Sequence, residues 1–458
     1  MKRNDIPKVF YLWRMLSLLC KKCKYQTGSF NGNLLGFGIK ASSLFYAIVI
    51  SLIIAIVSSS LILFAYLSRI EFDSFEMNQR INLNADSGLN LLLSKQTIVE
   101  LNQEKSIDLY TSGNDHVSLS RKSWGAYEIL ISKAAFKNIE AIRIAQVGFY
   151  PDSSKSYSLY LVDEDKPLAL CGKTKIKGTA YLPKAGVKRA YIEGQNFVGT
   201  TLIDGQIKQS DKTLPEFNKS LIENITTLFS KKMISEKDSV IVMEKGISGD
   251  SLNNSFKNKT LVLTSIAAVK ISEGVYSGNI VMISDKQITV SANADLNNVI
   301  LVAPKIIIEK EFKGALQAFA SDSIIVNKNV TLYYPSVLGL VRNEKSPAVS
   351  SILLSENDTL LGNVFSFKSN TDVLKQTGFV MQDKAVVYGQ VYSNGYVDIK
   401  GTIYGSLMCS KIILSTPSSV YENHLLNAVI DLTKLSKNYV GINLVKESES
   451  KKVVKWLE

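Results

Sequence analysis

The chain has 458 residues, enough for two or three ordinary domains or one long repetitive body. With 46% hydrophobic and 21% charged residues it lies in the globular range, which excludes a largely disordered polypeptide. The net charge of +12 points to nucleic acid or anionic lipid only until it is located: residues 1–40 hold eight Lys and Arg (Lys2, Arg3, Lys8, Arg14, Lys21, Lys22, Lys24, Lys40) against Asp5, leaving +5 over the remaining 418. Nucleic acid is therefore not an expected partner.

Four cysteines are too few for a disulfide framework in a chain this long. Cys20 and Cys23 form a C-x-x-C, but His116 and His424 are remote from it, so four zinc ligands do not assemble in the sequence. No metal or cofactor is expected.

Residues 1–40 read as a basic leader. Within it, residues 9–20 (VFYLWRMLSLLC) are too short to span a bilayer and carry Arg14, so they fit an interfacial helix or a tail. Between Lys40 and Arg69 no charged residue occurs, and a transmembrane helix is expected over 41–68. Its lipid contacts would include Leu44, Phe45, Ile48, Leu52, Ile56, Leu61 and Leu63. Lys21, Lys22, Lys24 and Lys40 precede the span and Glu71, Asp73 and Glu76 follow it, so the leader is expected in the cytoplasm and the bulk of the chain outside it. Membrane lipid is the partner this implies. The segment reads as an uncleaved single-pass anchor, since a signal peptide normally has a shorter apolar core.

The helical pattern continues past the span. Met77, Ile81, Ala85, Leu89 and Leu92 fall on one face, predicting an amphipathic stalk over 69–95. Gly88 weakens the pattern in its last turns. A long apolar helix with an amphipathic continuation into a β-rich domain resembles the N-terminal region of type IV pilins and pseudopilins, over residues 38–95. Gly38-Ile39-Lys40-Ala41 stands where that family has its processing site, without the acidic residue five positions later. The resemblance implies an assembly partner among pilus or secretion subunits.

Beyond residue 96 the pattern alternates. SIDLYTS, HVSLSRK, AYEILISK, IEAIRIAQVGFY and YSLYLV predict a β-rich subdomain over 96–165. From 166 to 420 an internal repeat emerges. Ile176-Lys177-Gly178-Thr179-Ala180-Tyr181 recurs as Ile399-Lys400-Gly401-Thr402-Ile403-Tyr404, and a looser unit recurs as SDKQITV, APKIII, ASDSIIV, SNGYVDI and CSKIIL. Each copy is too short to bury its apolar side alone, so stacking must build the core. The chain is thus expected to be mainly β, with an extracytoplasmic parallel, right-handed β-helix following the single transmembrane helix. The alternative is a β-sandwich or barrel; sandwich strands recur at comparable intervals. Residues 385–414 resemble the bactofilin core, a family of stacked short strands forming a β-helix.

A helical insertion is expected over 213–234, capped by Asp211 or Thr213, with Phe217, Leu221, Ile225 and Leu228 on one face to cover the solenoid. Residues 421–458 are expected to be a C-terminal cap and tail, with 424–435 covering one end.

No HExxH, GxSxG, Walker or GxGxxG pattern occurs, and no catalytic residue is expected. The acidic run Asp163, Glu164, Asp165 and the run Glu309, Lys310, Glu311 are the carboxylate candidates for a polysaccharide-degrading enzyme, and both fit solvated turns better. Tyr333, Tyr334, Tyr388, Tyr392 and Tyr396 could stack on sugars in an anchored adhesin or glycan-binding protein. The expected function is a membrane-anchored structural or assembly component of a bacterial envelope, a minor pseudopilin-like subunit of a secretion or pilus-type machine.

Overall fold

The computed structural model describes residues 40–94, 98–110, 115–150, 156–231, 238–243, 251–343, 346–347, 349–369, 376–445 and 450–457. The chain divides into two compact units, Met1–Phe75 and Glu76–Glu458. The leader, with Lys21, Lys22, Lys24, Cys20 and Cys23, lies outside the described residues. Helix α1 spans Lys40–Leu93. The fold is mainly β, with this one long apolar helix near the N-terminus.

In the second unit the final turns of α1 bury the face that the spacing marks out: Ile81, Ala85, Leu89 and Leu92 are at most 6% exposed. They pack on an antiparallel sheet of β1 (Gln103–Asp108), β2 (His116–Trp124), β3 (Tyr127–Phe136) and β4 (Ile139–Phe149). Gly88 is what allows the approach, because a Cβ there would collide with Ser132, Leu119 and Val117 of the sheet. The lost helix propensity, about 1 kcal/mol, is offset by that contact. Arg80 and Asn84 both bond the buried Asp115 carboxylate, and Arg143 reaches back to Asp86 at 2.6 Å, so polar ties flank the apolar seam.

β3 is buried on both sides. Leu130 and Ala134 face α1, while Tyr127 and Ile129 face a second, larger sheet. That sheet is parallel and closed. Successive passes of the chain pair in register: Val281 with Ile300, Ile300 with Gln317, and onward through Val337, Asn363, Gln390 and Ser406. Its interior is a continuous apolar core in which Leu301, Ala318, Leu338, Val364, Val391 and Leu407 are fully buried. β-Branched and leucine side chains alternate inward with outward residues, as a pleated strand requires.

The order of strands differs from the order of the sequence. Residues 239–242 pair with 261–264, and the series proceeds to 405–409. The next strand in space is Leu159–Leu161, which pairs with 407–409; Ala180–Leu182 and Ile207–Gln209 follow. These strands, early in the chain, thus extend the sheet beyond its last ones. Val429 and Ile430 likewise sit between 402–403 and 175–177.

Several boundaries shift accordingly. Leu159–Leu161, expected in the 96–165 subdomain, belongs to the closed sheet. Residues 424–435 do not cover an end: they are inserted between strands of the sheet and against Ala169–Cys171. The expected tail is strand Lys451–Trp456, paired antiparallel with β4, where the β-branched Val453 and Val454 suit a half-covered edge strand. Helix α2 runs only over Lys219–Phe229, capped by Asn218 rather than Asp211 or Thr213. Its Leu221, Ile225 and Leu228, with Phe217 ahead of it, cover the outer side of the closed sheet against Phe365, Phe367 and Tyr392.

At one corner of the closed sheet Gly362, Gly389 and Gly405 are stacked with φ near +155°. A Cβ on any of them would strike the carbonyl oxygen of the preceding row, so only glycine fits.

Candidate functional site

The feature of the first unit with a direct chemical meaning is the apolar part of α1. The helix is long and apolar enough to cross a membrane, with a best window of mean hydropathy 2.8 in which no residue is buried. Leu44, Phe45, Ile48, Leu52, Ile56, Leu61 and Leu63 are all more than half exposed. In water such a surface is unfavourable by roughly 25 cal/mol per Å² of apolar area, and a hydrocarbon environment removes that penalty. Ser51 and Ser60 return their hydroxyls to the carbonyls of Ile48 and Val57 at 2.9 and 2.8 Å, which satisfies them without water.

The carboxylate candidates resolve into turns and ion pairs. Asp163 accepts from the backbone N–H groups of Lys184 and Asp165, both at 2.9 Å, which holds its carboxyl below the ordinary range. Glu164 pairs with Lys411 at 3.0 Å, and Lys411 with Glu422 at 3.2 Å. Glu309 pairs with Lys270 at 2.9 Å, which lowers its pKa, and Glu311 occupies a left-handed turn. Glu164 and Glu309 thus lie in ion pairs, and Asp163 is held by backbone N–H groups.

The tyrosines separate by side of the sheet. Tyr392 is buried beneath Phe217, and Tyr334 donates to the Val440 carbonyl at 2.9 Å; burial raises both hydroxyl pKa values. Tyr396 is half-buried, its ring lying over Gly378. Tyr333 and Tyr388 are exposed.

A buried polar assembly joins residues that no local pattern in the sequence connects. The Arg121 guanidinium and the Lys451 ammonium converge on Glu128 at 2.6 and 2.9 Å. Burial alone would raise the Glu128 carboxyl, yet the two cations outweigh it and leave the carboxyl below its usual value. Gln317, set between Ile300 and Val337 in an outer row, donates to the Trp124 carbonyl and accepts from the Ala126 N–H, clasping the β2–β3 turn. Asn363 donates to Tyr127 and accepts from Tyr439 at 2.7 Å. The only sequence signal for these was polarity within apolar strands, and their partners are remote in the chain.

Among the described residues, no group of three or more His, Cys, Asp or Glu is placed to hold a metal. Cys171 and Cys409 are free and buried, and burial pushes the Cys409 thiol up.

No family model and no solved structure matches the chain. It is similar to the tRNA modification GTPase MnmE of Mycoplasma mycoides subsp. mycoides SC, with 27% identity over 234 residues, 49% of this chain and 45% of that protein. The chain therefore spans less than half the length of the curated relative it matches. Its one Gly-Lys-Thr, Gly172-Lys173-Thr174, has Pro167 at the place of the first glycine in a GxxxxGK[S/T] loop. It joins strand Leu168–Cys171 to strand Lys175–Lys177, so no helix N-terminus follows it to face a phosphate. The likeness leaves the long apolar helix and the β-rich body as the features on which a functional reading rests.

Proposed function

We propose that the protein is a non-catalytic, membrane-anchored structural component of a bacterial cell envelope. The observation that carries this reading is the apolar part of α1, unburied over its whole best window, in a helix whose last turns are built into a folded β unit. The basic leader lies on the cytoplasmic side and the β body on the other, following the charge asymmetry around Lys40. The closed parallel sheet is a β-helix: each pass of the chain pairs with a neighbouring pass in parallel, and the column of glycines marks a repeated corner. A helix shared between membrane and β body is the plan of the pilin-like proteins, and it supports a place among pilus or secretion subunits.

The reading is tested in native membranes. Spheroplasts treated with protease should lose the β body while retaining a protected fragment of the leader and span, and alkaline carbonate should not extract the intact chain. Chemical crosslinking in the same membranes should give discrete bands containing other envelope subunits. Carbonate release, or protection of the body, would remove the anchor and its orientation; crosslinking to monomer alone would remove the assembly role.

A further inference from the structure

We propose that one outer side of the closed sheet is a binding strip for a neutral polysaccharide. The strip is made by four consecutive rows, whose inward residues Leu332, Leu360, Val387 and Ile403 are fully or almost fully buried in the core. Their outward neighbours fall into two parallel lines. Thr331, Thr359, Val386 and Thr402 are in register as one line. Tyr333, Leu361, Tyr388 and Tyr404, two positions further along each strand, form the other, with Leu361, Tyr388 and Tyr404 paired directly across the strands.

These eight outward positions carry no charged side chain, although 21% of the chain is charged. The neutrality is bounded. Lys313 adjoins Thr331 at one end, and Lys175 and Lys177 follow Val429 and Asp431 at the other. Neither α2 nor the antiparallel sheet supplies a cover here: both pack on the Phe319–Phe365–Tyr392 side. Tyr333 and Tyr388 are 48% and 37% exposed, and the Tyr388 and Tyr404 rings lie 5.0 Å apart.

The chemistry of the two lines selects the occupant. Strand spacing of about 4.8 Å sets Leu361, Tyr388 and Tyr404 side by side on the sheet, with the Tyr388 and Tyr404 rings tilted 39° to each other. Aromatic faces attract the C–H faces of sugar rings, and the adjoining threonine line offers hydroxyls that both donate and accept towards the edge of the same ring. An anionic polymer gains nothing from a strip without cations. A polyproline peptide docks in an aromatic groove rather than on a flat pleated face. The match is therefore to an uncharged polysaccharide lying along the stack of rows. This inference does not depend on the anchor or on its orientation.

The test is affinity electrophoresis of the full chain in detergent micelles, through gels holding hydroxyethylcellulose, dextran or hyaluronate. Retardation by a neutral polymer, unchanged by raised salt, is expected. Tyr388→Ala with Tyr404→Ala should weaken it by about tenfold, two stacking contacts of about 0.5–1.5 kcal/mol each. Tyr388→Phe should keep it, since the ring remains. Circular dichroism of each variant reports folding, and Tyr333→Ala, at the most exposed ring, provides a second reading if the double variant unfolds. No retardation by either neutral polymer overturns the proposal. So does retardation that survives loss of the tyrosines, that appears only with hyaluronate, or that poly-L-proline abolishes.

Discussion

Gln317 clasps Ala126 across two sheets: its side-chain oxygen accepts from the Ala126 N–H at 2.8 Å while its amide donates to the Trp124 carbonyl at 3.1 Å. The residue between them, Gly125, has φ +60° and no room for a Cβ against that same oxygen. One amide therefore fixes the turn by which the helix-bearing antiparallel sheet meets the closed sheet. Gln317→Ala leaves a buried N–H and a buried carbonyl without partners, and each unsatisfied group costs about 1–3 kcal/mol. Denaturant unfolding should show a loss of that order, with Gly125→Ala at least as damaging.

Glu128 holds two cations in a largely buried position. Glu128→Gln strands Arg121 and Lys451 without a counter-charge, and breaking such a pair costs about 3–5 kcal/mol. Because Lys451 belongs to the C-terminal strand, hydrogen exchange at 451–456 should accelerate first. The Glu128 carboxyl is held below its ordinary value, so its contribution is present above the unfolded pKa and fades as pH falls through the folded one.

Asp358 behaves in the opposite sense. Its carboxylate accepts from the Val330 and Ser355 N–H groups at 2.9 and 2.7 Å, yet burial pushes its pKa up to about 7. With an unfolded value near ~3.9, its protonated form is favoured by folding. Its contribution is complete below the unfolded value and is lost as pH rises towards 7, by at most about 4 kcal/mol at ~1.4 kcal/mol per unit. Thermal melts between pH 4 and 8 should show wild type losing stability relative to Asp358→Asn. Parallel curves would mean that the carboxyl does not titrate in this range.

The corner glycines allow a sharper test. Gly389→Ala places a methyl against the Gly362 carbonyl at φ +153°, and Ser436→Ala on the nearby exposed surface does not. The first should lower the melting midpoint severely, as core overpacking of about 1–3 kcal/mol adds to backbone strain of similar size. The second should change it by less than ~0.5 kcal/mol.

For the membrane helix, Ile56→Lys puts a charge in the middle of the apolar stretch. Insertion should become less favourable by about 2.5–3.5 kcal/mol, raising the carbonate-extractable fraction. An unchanged fraction would show that residue 56 does not sit in hydrocarbon.

The sequence announced some of this and disguised the rest. The apolar helix and the Ile81–Leu92 face are local patterns, and both are where periodicity puts them. Copies of the loose unit lie side by side in register: Ala303 pairs with Ala320, and Ser393 with Cys409. The near-identical IKGTxY copies are out of phase, because Ile176 shares a row with Ile430 and Ile403, whereas Ile399 pairs with Met381. Small residues and β-branched pairs suit more than one corner, so identity of sequence did not mean identity of position. The Thr and Tyr lines were hidden for a related reason: alternation predicts that some tyrosines face outward, but only register shows which of them adjoin.

The pairing of 159–161 with 407–409 has a consequence for how the protein is made. Tyr157 and its partner Met408 are 251 residues apart in sequence. A chain emerging from its N-terminus exposes strands 159–161, 180–182 and 207–209 long before the strand that receives them exists. Contacts at this separation slow folding, and unpaired strand edges invite wrong partners while they wait. A ribosome-stalled chain ending before residue 407 should therefore remain protease-sensitive at 159–209, and protection there should appear only once synthesis has passed the closing strand.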